Sequence, residues 1–221
     1  MAGFRRFVVG QGGFRATDMY RLMTSAIVPR PIAFVTTLSL KTGASSVNVA
    51  PFSFFTGVSS SPPALVLSIT SSGADKPAGK DTLLNIERDK QFVVHASQEP
   101  FAASVNAASA ELPYGESELP LTSMSLLPSE RVQVPRLAEP DWAMECELLH
   151  TLQIGERGAT GAATLVVGSI VCAHVRESVL QLESREGWLN LQLLKPLARL
   201  GGPMYCGIKP PFALERPKKK A

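Results

Sequence analysis

Residues 29–69 read PRPIAFVTTLSLKTGASSVNVAPFSFFTGVSSSPPALVLSI, a run in which small hydroxyl residues alternate with large apolar ones. Alternation of this kind has the two-residue period of a strand, and the prolines in it stop a helix from passing through. Pro29 and Pro31 force extended backbone, so one strand is expected over 32–39 and a second over 47–56. Lys41, Thr42 and Gly43 supply turn chemistry between them, which makes the pair a hairpin with a slightly long loop. Pro62 and Pro63 then break the chain ahead of a third strand over 64–70. A chain built this way is committed to a sheet.

Helices fit only into the connections. Thr17 or Asp18 is placed to cap a short helix carrying Met19, Tyr20, Leu22 and Met23, and Asp81 to cap another through about residue 89. Residues 71–79 are a polar loop, 91–96 a strand, and 100–110 a short helix opened by Pro100. Segment 111–141, rich in Pro, Ser and Glu, reads as an excursion packed on the surface, with a helical turn near 117–119. Long strands are expected over 143–154 and 165–176, joined by Gly155, Gly158 and Gly161. Six or seven strands against three or four short helices, without regular alternation, disfavour a doubly wound sheet. They favour a closed or partly closed antiparallel barrel with helices in its connections.

At 221 residues the chain fits one domain. Its apolar content of 45 % is ordinary, no run of apolar residues is long enough to span a membrane, and the basic N-terminus lacks a secretory core. A cytoplasmic protein without a membrane partner is therefore expected. Much of the net charge of +3 sits at Arg216 and Lys218 to Lys220, a solubilising tail, and no basic and aromatic interleaving elsewhere suggests nucleic acid. Cys146, Cys172 and Cys206 form no CxxC pair and read as free thiols. His95, His150 and His174 share no metal-ligand spacing, so no metal is expected.

The motif search narrows the chemistry further. Gly10, Gly12 and Gly13 do not make a dinucleotide fingerprint, Gly79 and Lys80 lack the preceding glycines of a phosphate loop, and Ser53 has no GxSxG setting. No catalytic side chain is nominated, which suits a protein that leaves the chemistry to a cofactor. Three groups are placed to hold one. Lys80 and Thr82 flank Asp81 at an expected helix start, where backbone amides, an ammonium and a hydroxyl can take a phosphate, although a solvated lysine beside a routine cap is the plainer reading of these residues alone. Thr36, Thr37, Asn48 and Ser53 lie on the first hairpin, whose faces both mix polar and apolar groups, so part of it is expected to face a ligand or a partner subunit. Pro51 belongs at an edge or bulge. Near the other end, Arg199, Gly201, Gly202 and Tyr205 combine a guanidinium, two glycines and an aromatic ring, a ligand-closing segment or simply a turn.

In order, the pieces PRPIAFVTT at 29–37, NVAPFSFF at 48–55, residues 59–63, KDT at 80–82 with Asn85 and Ile86, FVV at 92–94, MEC at 144–146, and RLGG at 199–202 with Tyr205 resemble the flavin reductase-like family of FMN-binding split-barrel proteins. Each piece is weak alone, but the ordered set covers roughly residues 18–207. The resemblance implies a mainly β, Greek-key split barrel over 18–214, preceded by an extension at 1–17 and followed by a basic tail at 215–221. It implies a homodimer with FMN held near the subunit interface. Thr36 and Thr37 would then lie near the flavin, and Asn48, Ala50, Pro51, Phe52 and Ser53 would border its ring. Lys80 and Thr82 would take the phosphate, while Arg199, Gly201 and Tyr205 would close the site. The implied reaction is hydride transfer from NADH or NADPH to flavin N5. The family's shorter reductases carry Gly-Asp-His where this chain reads Gly202, Pro203, Met204 and Tyr205, and the 112–140 excursion resembles a longer branch. An FMN-binding electron carrier, working with another donor or a protein acceptor, therefore stands beside the free-flavin reductase as an alternative.

Overall fold

The computed structural model describes residues 3–41, 44–71, 79–181, 187–214 and 217. The expected basic tail apart from Pro217, most of the 71–79 loop, and Thr42 and Gly43 of the expected turn lie outside the described residues. Helix α1 (Ala16–Ala26) and the two-residue β1 (Arg30–Pro31) lead into the hairpin of β2 (Ala33–Lys41) and β3 (Ala44–Phe52), followed by β4 (Phe55–Ser60) and β5 (Pro63–Thr70). Helix α2 (Asp81–Asp89) precedes β6 (Gln91–Ala96), and α3 (Ala102–Ala107) follows a 3-10 turn at Glu99–Phe101. The short β7 (Leu126–Leu127) and β8 (Arg136–Leu137) come before the long β9 (Trp142–Ile154) and β10 (Ala163–Val175). Helix α4 (Leu191–Leu194), β11 (Leu197–Arg199) and β12 (Tyr205–Gly207) complete the order. No described helix is long and apolar enough to cross a membrane.

The seven longer strands form one antiparallel sheet in the order β3-β2-β6-β9-β10-β5-β4, and β1, β11 and β12 form a second, small one. The large sheet curls around a single core. Ala33, Val35, Phe52, Leu65, Leu67, Phe92, Val94, Cys146 and Val166 project into it from six strands, and α2 adds Leu83 and Ile86. Packing leaves no slack at the middle: a Cβ on Gly168 would meet Phe92 Cζ at 2.4 Å, so only glycine fits beneath that ring. The result is a mainly β split barrel with short helices in its connections.

The structure adjusts several expectations. The hairpin mixes residue types on both faces because both faces are buried. Phe34 and Val49 point away from the barrel core into a second cluster with Val105, Met124, Leu137 and Leu197. Segment 111–141 is thus a structural cover laid over the hairpin's outer face. Polar groups fix it there: Thr36 donates to the Pro135 carbonyl at 2.8 Å, the Val49 amide donates to Glu118 Oε2 at 2.9 Å, and Ser117 donates to the Val47 carbonyl. The expected strand over 47–56 is two strands with a corner at Ser53 and Phe54. Pro51 lies on β3, the sheet's terminal strand, where a missing amide is tolerated. The helix starts also shift. Lys80, not Asp81, is the N-cap of α2, and Arg15 precedes α1, with Asp18 three residues on accepting from the Arg15 amide.

His95 ties the cover to the barrel. It is fully buried; the Phe34 carbonyl lies 2.9 Å from Nδ1, and the Leu137 amide donates to Nε2 at 2.9 Å. A carbonyl only accepts and an amide only donates, so the proton sits on Nδ1 and the ring is neutral. Burial pushes its pKa down from 6.5 to about 4. Above pH 6.5 both folded and unfolded chains hold this ring neutral. As the pH falls from there toward 4, only the unfolded chain takes up the proton, so stability declines by about 3 kcal/mol across that window. Urea unfolding of the wild type and His95→Gln between pH 7 and pH 4.5 checks this. The difference between the two curves should shrink as the pH falls; a constant difference rules it out.

Candidate functional site

The cover stops short at one end of the hairpin, and a cleft of about 380 Å³ opens there. Its walls come from α1 (Tyr20, Thr24), β1 (Arg30), the corner after β3 (Pro51, Ser53), the start of α2 (Lys80), and the β11–β12 turn (Arg199, Gly202, Tyr205). A smaller cavity of about 90 Å³ shares Pro51, Lys80 and Ser109 with it and extends to Asn48, Ala50, Phe52, Asp81, Thr82 and Glu118. Together the two form one groove, with three cations at one end and hydrogen-bonding groups alongside Asp81, Glu111 and Glu118 at the other.

Arg30 organises the cationic end. Only 7 % exposed, it donates to the carbonyls of Thr24 and Ile27 at the end of α1 and to Leu200 at 2.8 Å, joining segments 170 residues apart. Its Nε is buried without a partner, and its guanidinium carbon lies 5.8 Å from the Phe54 ring centroid. Burial lowers its pKa from the ordinary value; Tyr20 works against that and Arg199 adds to it. Arg199 itself lies 4.3 Å over the Tyr205 ring and donates to the Gly202 carbonyl at 2.7 Å, which fixes its fork at the rim. Lys80 is the third cation. None of the described residues lining this larger cleft is a carboxylate.

The hydrogen-bonding end is built differently. Asn48 and Thr82 are both 2 % exposed, and Asn48 Nδ2 donates to Thr82 Oγ1 at 2.9 Å. Thr82 thereby holds the Asn48 amide at the groove's floor. Of the residues singled out in the sequence, Asn48, Ala50, Pro51, Phe52, Ser53, Lys80, Thr82, Arg199 and Tyr205 line the groove. Thr36, Thr37 and Gly201 do not. Thr36 is engaged with the cover, and Thr37 Oγ1 accepts from Asn85 Nδ2 at 3.0 Å in a fully buried network that includes Ser39. Gly201 packs on Ser25 of α1, where a Cβ would come within 3.1 Å of the Ser25 backbone. Sequence reasoning missed Tyr20, Thr24 and Ser109, and gave Arg30 no role although it stands in the PRP motif.

A family model for the flavin reductase like domain matches residues 23–187. The chain belongs to the flavin reductase-like family. It is also 38 % identical over 202 residues to the uncharacterized protein YwrF of Bacillus subtilis, covering 91 % of this chain and 95 % of that one. Among solved structures, nitrilotriacetate monooxygenase component B from Bacillus cereus matches with a TM-score of 0.83 and 33 % identity, over 96 % of this chain and 100 % of that one. The 2-nitrobenzoate 2-nitroreductase NbaA of Pseudomonas fluorescens follows with 0.78 and 30 %, over 96 % of each chain. The fold is that of an FMN-binding, oxidoreductase-class split barrel. The groove fits such a cofactor on its own terms: it has the volume of a small-molecule site, cations without matching acids at one end, and an orphaned buried guanidinium nitrogen in its wall.

Arg30→Lys tests the joint between α1 and β11. A lysine cannot reach three carbonyls in a planar fork. The variant should lose about 1–3 kcal/mol of stability in urea unfolding; an unchanged midpoint would show that the three carbonyl contacts contribute nothing.

Proposed function

We propose that the chain is an NAD(P)H-dependent flavin reductase that holds FMN in the groove between α1, β3, α2 and the β11–β12 turn. The observation that carries this reading is the convergence of Arg30, Lys80 and Arg199 on a cleft whose described lining holds no carboxylate. FMN, when bound, supplies a ring that accepts hydride from a reduced nicotinamide. The chain's own residues bind and orient. Lys80 and Arg199 offer charge-assisted hydrogen bonds to a phosphate, and the buried Arg30 adds positive potential behind them. Asn48, held by Thr82, presents an amide to a polar ring edge, while Ala50, Pro51 and Phe52 form an apolar border that excludes water. No acid or base is required of the protein. The names of the two similar structures, a monooxygenase component and a nitroreductase, agree with redox work in this fold.

Anaerobic mixing of the FMN-loaded protein with NADH and with NADPH is the direct test. Loss of the oxidised flavin's visible band with either one is expected. A flavin that stays oxidised with both, yet bleaches with dithionite, overturns the nicotinamide step and leaves an electron carrier with another donor. Lys80→Ala should weaken FMN binding roughly ten- to a hundredfold, the equivalent of one charge-assisted hydrogen bond; an unchanged affinity in a folded variant would remove Lys80 from the phosphate site.

A homodimer is part of the same proposal. The outer half of β9 exposes Leu149, Leu152 and Ile154, and the edge strand β4 exposes Val58. An exposed apolar edge of this kind calls for a cover, and a second copy supplies one symmetrically. Sedimentation equilibrium should give twice the chain mass of 23.7 kDa; a single-chain mass at micromolar concentration sinks the dimer.

A further inference from the structure

Away from the groove, and sharing none of its lining residues, β9 and β10 bring together three groups that stand 27 and 2 residues apart in sequence: Glu145, Cys172 and His174. Glu145 lies directly opposite Cys172 in the strand register, and His174 follows two residues later on the same face of β10. A bulge makes this possible. Ile170 pairs with Cys146 and packs against the barrel core, Val171 has no partner in the ladder, and Cys172 therefore emerges on the other face with Glu145. Their donor atoms all lie within 4.8 Å of one another. His174 Nε2 is 2.5 Å from Glu145 Oε1 and 3.7 Å from Cys172 Sγ.

Glu145 is fully buried and held by backbone. The Glu130 amide donates to Oε1 at 2.8 Å, and those of Arg131 and Val132 donate to Oε2 at 2.6 and 3.1 Å. Such outer contacts orient a ligating carboxylate. His174 is partly exposed and lines a separate cavity of about 510 Å³, with Ala173, Asp141, Arg176 and Arg136 among its walls.

We infer that Glu145, Cys172 and His174 form a zinc site with three protein ligands and a fourth position open to this cavity. The donor set is one carboxylate oxygen, one imidazole nitrogen and one thiolate, all ordinary zinc ligands. Tetrahedral zinc places such atoms about 3.3–3.6 Å apart. The sulfur–nitrogen separation already fits, and the nitrogen–oxygen pair has to open by less than about 1 Å as the metal replaces the proton between them. With zinc on Nε2 the neutral imidazole carries its one proton on Nδ1, the Cys172 thiol proton goes to solvent, and the carboxylate and thiolate together balance the two positive charges. Burial, then Glu145 and Glu130, push the metal-free Cys172 thiol's pKa up, and Arg131 and Arg136 work against them. Nucleophilic catalysis is the competing use of a Cys, His and Glu, and the geometry rejects it. A relay needs cysteine and carboxylate on different ring nitrogens, whereas both meet Nε2 here. Bound zinc would cross-link β9, β10 and the 130–132 end of the cover.

The test uses the full-length, FMN-loaded protein and zinc ion alone, with bound metal measured by equilibrium dialysis and elemental analysis. One zinc per chain is expected. Cys172→Ser and His174→Gln should each weaken binding about 100-fold or more, beyond what losing an outer contact costs, with FMN content unchanged. Cys206→Ser, another partly exposed thiol, should leave it alone. Zinc should also raise the melting temperature of the wild type but not of the two ligand variants. X-ray absorption of the zinc-loaded wild type, which needs no variant to fold, should show one sulfur neighbour. Absence of stoichiometric zinc, binding that survives both ligand variants or follows Cys206, or a sulfur-free spectrum overturns the site.

Discussion

The β2–β3 hairpin buries apolar side chains on both faces, and a two-stranded element of that kind has no stable solution alone in water. Its inner face, through Ala33, Val35 and Phe52, is satisfied by curling the sheet until six strands share one core. Its outer face, through Phe34 and Val49, needs a second layer, and the 111–141 segment supplies it. Without that layer Phe34 and Val49, each fully buried, would face water, and each fully buried aliphatic or aromatic side chain contributes about 1.5–3 kcal/mol. The cover itself has little regular structure. It is held by side chains of the barrel that satisfy its backbone, chiefly His95 at Leu137 and Glu145 at residues 130–132.

The groove follows from where this second layer ends. Near Pro51 the end of the hairpin is met by α1, the start of α2 and the β11–β12 turn, three pieces remote in sequence. Arg30 joins two of them through carbonyl contacts, so the guanidinium that lends the groove positive potential also holds its walls together. Lys80 and Arg199 are also tied to the fold, one as the N-cap of α2 and the other through Tyr205 and the Gly202 carbonyl.

What the sequence disclosed follows the range of the interactions involved. Strand β6 lies where a local pattern puts it, because six residues of alternating and β-branched character need no distant partner to be read. Pro51 announced an edge, and β3 is one. The hydroxyls were harder. Thr37 and Ser53 look alike in a strand, yet Thr37 belongs to a buried network with Asn85 and Ser39 while Ser53 lines the groove. The deciding fact is which face α2 covers, and that is set 48 residues away. Arg30 was hidden for a related reason: its role depends on Leu200, brought near only by the pairing of β1 with β11. Cys172 and His174 offered an i, i+2 pair, but their carboxylate partner is fixed by a bulge in β10, which sequence periodicity does not show.

Most described buried polar side chains in this fold have partners. Those that build the structure are satisfied: His95 by a carbonyl and an amide, Glu145 by three amides and an imidazole, Asn85 by two hydroxyls. Among the described residues three buried side-chain atoms are left without one, Arg30 Nε, Ser97 Oγ and Arg136 Nε. Each of their residues lines a cavity: Arg30 the groove, Arg136 the space beside His174, and Ser97 a small apolar hollow near Trp142. An unpaired buried donor costs about 1–3 kcal/mol, and a well-packed fold has no reason to place it beside empty space unless something else arrives there. Among the described residues, then, every buried side-chain atom left without a partner belongs to a residue that lines a cavity, and the rest of the buried polar framework is paired.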